Sequence, residues 1–169
     1  MRGGTILRYT PEIISSLEEN QIFVFGSNRR GVHGAGAAFL ARKVFGAKAG
    51  MGLGLTGQCY ALPTKGFEIE TLSLSEISVS FQKFIKCVLD NPHLDFLLTK
   101  VGCGLAGYTT DDIAREFWHG MEYNGQKKIP VNLWVPREFI FTADYEESHA
   151  ILSGRHLCLF SYSKSAEIN

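Results

Sequence analysis

Two short runs, IFVF at positions 22–25 and FLLTKV at positions 96–101, are apolar at nearly every position. Such runs are expected of strands covered on both faces of a sheet. Between and after them, apolar residues recur every three or four positions, the signature of amphipathic helices. Ala38, Leu40, Ala41, Val44 and Phe45 share one face of a helix over 35–45, with Arg42 and Lys43 opposite and Gly46 placed to close it. Ile77, Phe81, Phe84, Ile85, Val88 and Leu89 mark a second, capped by Ser75 and ended before Pro92. Thr109, Thr110, Asp111 and Asp112 open a third, through about Met121. Thr10, Pro11 and Glu12 supply a capping oxygen, a preset φ and an acid, so a further helix is expected from there to Asn20.

Positions 58–62, 95–101 and 131–135 are strand-like. Pro63 is expected to end the first of these, because it cannot donate to a central ladder. The glycines of MGLGLTG just before it suggest a hairpin or a bulge. Alternating helix and strand predict an α/β fold with a mixed, centrally parallel sheet. After Pro136 the pattern weakens, so the chain is divided into a domain over 1–140 and an appendage over 141–169. The appendage, with one apolar run at 157–162, is expected to pack on the domain or to be partly flexible.

Composition narrows the chemistry. A chain of 169 residues suffices for one domain whose core needs neither disulfide nor metal. Its 17 basic and 17 acidic side chains balance, and tight basic clusters such as Arg29 with Arg30 and Lys127 with Lys128 are no larger than pairs. Long nucleic acid, bound by phosphate neutralisation, is therefore not an expected partner. The first residues lack a long apolar stretch and no run approaches a membrane span, so a soluble, cytoplasmic protein is expected. Cys59, Cys87, Cys103 and Cys158 show no C-x-x-C spacing, which supports neither a metal site nor a disulfide scaffold.

The candidate chemistry lies where the two buried strands end. Each runs into a glycine-rich loop, GSNRRGVHGAG (26–36) and GCGLAGYTTDD (102–112), and each loop meets a helical pattern. Glycine permits positive φ and removes the Cβ, so amide N–H groups can converge on an anion, and a helix start adds free donors. Loops at the carboxyl ends of neighbouring parallel strands face one crevice. Gly102, Gly104 and Gly107 also satisfy a literal GxGxxG. In the dinucleotide fingerprint, however, the third glycine already lies in the helix, and an acid follows about twenty residues on. Here the cap residues come after Gly107 and VNLWV leads into Pro136 and Arg137, which disfavours a nicotinamide Rossmann domain. No GxxxxGK[ST] occurs, which excludes a P-loop NTPase.

In combination, FGSN, HGAGAA, GLTGQCYALPTK and TKVGCGLAGY resemble macrodomains, and in particular a group of small bacterial and phage macro-like proteins of uncertain activity. The likeness covers about residues 20–136. It implies a three-layer α/β/α macrodomain-like sandwich that binds ADP-ribose or an ADP-ribosylated substrate and needs no cofactor or metal. It implies that Gly26, Ser27 and Asn28 end the first ligand strand, with Asn28 fixing a hydroxyl of the distal ribose. Gly34, Ala35 and Gly36 would border the diphosphate from one side. Gly102, Cys103, Gly104, Leu105, Ala106 and Gly107 would cradle it from the other, and Tyr108 would stack near the distal ribose. The aspartate with which many macrodomains hold adenine has no counterpart; Glu12, Glu18 and Glu19 occupy that stretch.

Individual side chains carry alternatives. Asn28 suits a ligand contact at a strand end or an Asx turn closing on its own backbone. His33 is a candidate general base or phosphate partner, or a plain loop residue. Cys103 has the position of a nucleophile near a helix start, yet no base stands beside it, which favours a small loop residue. Lys65 and Thr64 reach the ligand or lie on a surface loop. If the protein is an enzyme, hydrolysis at the distal ribose C1'' is expected, with Asn28 and His33 as the catalytic candidates. A reader module without turnover is the alternative.

Overall fold

The computed structural model describes residues 7–140. Among them the order is β1 (Arg8–Tyr9), β2 (Gln21–Asn28), α1 (Gly36–Val44), β3 (Gly54–Thr56), β4 (Cys59–Lys65), α2 (Leu74–Asp90), β5 (Asp95–Leu98), α3 (Thr110–Tyr123) and β6 (Leu133–Val135), closed by a 3-10 turn at Arg137–Phe139. The strands form one sheet in the order β1-β6-β5-β2-β4-β3, parallel throughout except for the edge pairing of β3 with β4. The fold is thus α/β with a mostly parallel mixed sheet. The appendage over 141–169, with its apolar run, lies outside the described residues.

The strand period of two sorts β2 between two cores. Ile22 and Val24 face a large cluster with Phe81, Phe84, Ile85 and Val88 of α2 and Ile113, Phe117 and Met121 of α3. Phe23 and Phe25 face the other way, onto Ala38 and Ala41 of α1 with Phe45, Cys59 and Ala61. Helices therefore cover both faces, which is why β2 and β5 read as unbroken apolar runs. Burying each such Phe contributes about 1.5–3 kcal/mol. Close helix packing requires Gly120, where a Cβ would stand 2.8 Å from that of Phe81. No helix of the described residues is long and apolar enough to cross a membrane.

Several expected boundaries move. The helix expected from Thr10 to Asn20 does not form. Instead the Thr10 amide continues the sheet edge by donating to the Val135 carbonyl (2.9 Å), and Glu12 reaches Lys100 (3.2 Å). Farther on, the Gln58 amide group donates to the Glu18 carbonyl at 2.9 Å. With Ile13, Ile14, Ser15 and Ser16 at its middle, the segment has poor helix formers, and these outside partners prevail. Ile14 and Leu17 still pack on the smaller core.

β4 runs through Pro63 to Lys65 rather than stopping at Leu62. On the β2 side Pro63 stands opposite Ser27 and the register shifts just after it, with Lys65 opposite Asn28, while β3 covers only Cys59 to Ala61, so no β3 acceptor awaits an amide from Pro63. The glycines before it form the β3–β4 hairpin. α2 is capped by Ser73, not Ser75, because Glu76 stands three residues after Ser73 and completes a capping box. Val44 and Leu89, assigned to apolar faces, are exposed. β5 stops at Leu98, before Val101: the Thr99 amide and hydroxyl both still donate to the Val24 carbonyl, and the Val101 amide then turns back onto the Thr99 carbonyl (2.8 Å).

Candidate functional site

β2 and β5 are parallel neighbours, so the segments that follow them rise from the same edge of the sheet. At the end of β2 the Asn28 side chain closes the first loop. Its Nδ2 donates to the Val32 carbonyl (2.7 Å) and its Oδ1 accepts from the Val32 amide (3.0 Å). The Asx-like role is therefore present, and each amide atom keeps one further bonding position. Asn28 nonetheless borders the cleft described below. Ser27, also bordering it, donates its hydroxyl to the Gly52 carbonyl.

His33 is turned elsewhere. Only 1% exposed, it sets its ring edge-on to Phe25, with centroids 5.1 Å apart, and its Nε2 lies 3.2 Å from the Lys48 carbonyl. It does not line the cleft, and its Nδ1 is buried without a hydrogen-bond partner among the described residues.

The second loop follows Thr99. Gly102 holds φ at +77°, and a Cβ there would approach Ile113 Cδ1 to 2.6 Å, so the backbone bends where only glycine is unstrained. Within the loop the amides of Cys103, Gly107 and Tyr108 donate to the carbonyls of Lys100, Gly104 and Gly102. Those of Gly102, Gly104, Leu105 and Ala106 take no part in these bonds, and all four residues line the cleft. Cys103, Gly107 and Tyr108 do not line it. The Tyr108 hydroxyl donates to the Leu72 carbonyl (2.7 Å), holding the ring against the larger core. Burial pushes the Cys103 thiol up to about 11, which leaves it protonated and poorly nucleophilic at neutral pH.

Across from this loop stands the start of α1. Helices α2 and α3 each close their own N-terminus with a capping box, Ser73 with Glu76 and Thr109 with Asp112. Helix α1 has Ala35 at its cap, no side-chain acceptor and no acid in its first turn. Its opening residues Gly36, Ala37 and Ala38 line the cleft, and the first amide bonded along the helix is that of Phe39, to Ala35. An uncapped helix start offers free donors to an anion.

The cleft between these elements has a volume of about 360 Å³. Gly26, Gly34, Thr64, Lys65, Ile69, Thr99, Lys100 and Val101 complete its walls with Val32 and the residues already named. Two lysines and no carboxylate line it. Lys65 makes no ion pair with a described residue, whereas Lys100 is held by Glu12 and Glu138. Those contacts raise the Lys100 pKa, the hydrogen bond with Glu138 foremost, and hold the Glu138 carboxyl below its ordinary range.

Ala37, Thr99 and Lys100 also line a second cavity of about 550 Å³, over the ends of β5, β6 and β1. Its walls are largely apolar, with Pro11, Ile14, Phe23, Leu40, Leu98 and Pro136, and it carries the carboxylates Glu12 and Glu138. Tyr9 lies beside it under the Arg137 guanidinium, 4.2 Å from the ring centre. Each cavity alone falls within the ~300–1,000 Å³ of small-molecule sites.

No family model, curated protein or solved structure matches the chain.

Of the residues expected to bind ligand, the structure gathers Gly26, Ser27, Asn28, Gly34, Ala35, Gly36, Gly102, Gly104, Leu105 and Ala106 around one cleft. Ile69, Ala37, Ala38, Val32, Thr99, Lys100 and Val101 line it as well and were not anticipated. Ala37 and Ala38 were legible in principle, since the helix pattern places them in the first turn of α1. Ile69 carried no signal, because its position depends on how the segment after β4 folds back. Among the described residues no group of three or more His, Cys, Asp or Glu is placed to hold a metal ion.

Proposed function

We propose that the two neighbouring cavities, which share Ala37, Thr99 and Lys100 in their walls, together bind ADP-ribose or a close derivative, in a macrodomain-like sandwich of the kind the sequence resembles. The observation that carries this reading is the opposition of two sets of uncommitted amides, at the start of α1 and in the 102–106 loop, across a cleft lined by lysine and no carboxylate. A diphosphate fits between them, with Lys65 as a nearby counter-charge. The larger apolar cavity then takes the base, and Glu12 and Glu138 are acceptors for an exocyclic amine. On this reading Asn28 turns its remaining N–H and lone pair to a hydroxyl of the distal ribose.

In the hydrolytic form, water attacks C1'' of the distal ribose, the C1''–O bond breaks and the leaving oxygen takes up a proton. The cleft supplies orientation and charge stabilisation through its amides. A module that binds without turnover is the second reading. It is favoured by the walls of the smaller cleft, where neither a carboxylate nor His33 nor Cys103 stands among the described residues to act as a side-chain base beside the distal ribose. A Rossmann-type site is disfavoured by α3, whose N-terminus is closed by Thr109 and Asp112 where a dinucleotide would need it open.

Calorimetric titration with ADP-ribose, with AMP and NAD as controls, tests the reading. Micromolar binding selective for ADP-ribose is expected, and a protein indifferent to it sinks the proposal. Release of ADP-ribose from a modified protein, or of phosphate from ADP-ribose-1''-phosphate, then separates the hydrolase from the binding module.

A further inference from the structure

Ile69 is the one non-glycine residue of the described chain with positive φ, at +67°. For a β-branched side chain that conformation is a true outlier, and strain of this kind persists where the surroundings over-determine it, often at ligand sites. The surroundings are visible. Lys65 and Thr71 bridge the base of the segment, and the Gly66 amide donates to the Glu70 carbonyl (2.8 Å). Glu70 turns back to accept from the Glu68 amide at 2.9 Å. The Thr71 hydroxyl donates to the Ala106 carbonyl (3.2 Å), tying the segment to the second glycine loop. Ile69 is thereby held on the cleft wall, 38% exposed, on the rim that also carries Leu105, which is 73% exposed.

The place along the sheet edge says what meets it. The larger cavity lies over β1, β6 and β5, the opposed amides lie between the ends of β2 and β5, and Ile69 follows β4 on the far side. A ligand with its base in the larger cavity and its diphosphate between the amides presents its next group, the distal sugar, to Ile69. We infer that Ile69 is a specificity-determining residue, whose side chain packs on the C–H face of the sugar beyond the diphosphate and so distinguishes ADP-ribose from ADP. This rests on the nucleotide reading of the cleft. Apolar contact with a sugar face, made without ordering a flexible side chain, is a low-entropy source of selectivity.

The test compares ADP-ribose and ADP binding by calorimetry in wild-type protein, Ile69→Asn and Ile69→Gly, with the thermal midpoint of each unliganded protein. Asparagine and glycine accept positive φ, so neither variant should unfold at a lower temperature than wild type. ADP-ribose affinity should fall about tenfold in both while ADP affinity is unchanged. An unchanged ratio of the two affinities overturns the assignment and leaves the nucleotide reading intact. Loss of both ligands together with a lowered midpoint in both variants assigns Ile69 to the fold and also overturns it. Wild-type protein that ignores ADP-ribose overturns the reading beneath it, and the assignment with it.

Discussion

Asn28 holds the loop after β2 and borders the cleft with the same side chain. Its two bonds to Val32 set the path of the chain between β2 and α1, while the residue stays only 8% exposed on the cleft wall. Replacing it with alanine removes both bonds and should cost about 1–3 kcal/mol of stability as well as ligand affinity. Thermal unfolding and ADP-ribose titration of Asn28→Ala measure the two losses, and undiminished turnover in that variant would exclude Asn28 from any hydrolytic step. Cys103 makes the opposite case, since glycines on both sides and a helix start suggested reactivity. A thiol pushed up to about 11 from an ordinary 9 has roughly a hundredfold less thiolate at neutral pH. Alkylation of native protein near neutral pH should therefore modify Cys103 far more slowly than a free cysteine, as peptide mass spectrometry can follow.

At the scale of the element, the three helices divide by their caps. Helices α2 and α3 satisfy their own first amides, whereas α1 leaves its first turn open toward the cleft. Proline is tolerated in a first turn and has no N–H, so Ala37→Pro should weaken ADP-ribose binding several-fold while shifting the thermal midpoint little. A variant that binds as well as wild type would show that this amide does not meet the ligand. The boxed helices respond to acid instead. Hydrogen bonds from Ser73, with Arg29 as a lesser contributor, hold the Glu76 carboxyl below its ordinary value. A lowered carboxyl pKa adds stability that is present above the unfolded-state value and is lost as pH falls through the folded one. Glu76→Gln should accordingly unfold at a lower temperature than wild type at pH 7, with the two converging only as pH falls through the lowered folded-state pKa, below the ordinary carboxyl range. Thermal melts across that range check the sign.

At the scale of the molecule, the site exists because parallel strands distant in sequence end on one edge. Residues after β2, β4 and β5 meet there, so a ligand bound among them links parts of the chain that separate on unfolding. ADP-ribose at a hundred times its dissociation constant should stabilise the fold by about 2.7 kcal/mol. That amounts to a rise in thermal midpoint of roughly 5–10 °C for a chain of this size. Scanning calorimetry with and without ligand gives the figure, and ADP should give less at equal concentration.

Alternation of apolar runs and helical faces, read from residues such as Phe23, Phe25, Phe81 and Phe84, was enough to determine an α/β class and both glycine loops, because burial and turn geometry depend on local pattern. The same local logic misplaced the helix after Thr10, whose cap residues are sound but whose partners Lys100, Val135 and Gln58 come from distant strands and loops. That the His33 ring packs on Phe25, away from the cleft walls, was likewise not legible in its loop. Which amides stay unbonded, that α1 is open while α3 is closed, and that Ile69 is strained onto the cleft wall were decided only by the tertiary structure. Those properties depend on hydrogen bonds and contacts between segments far apart in the chain, and the period of a single segment carries no record of them.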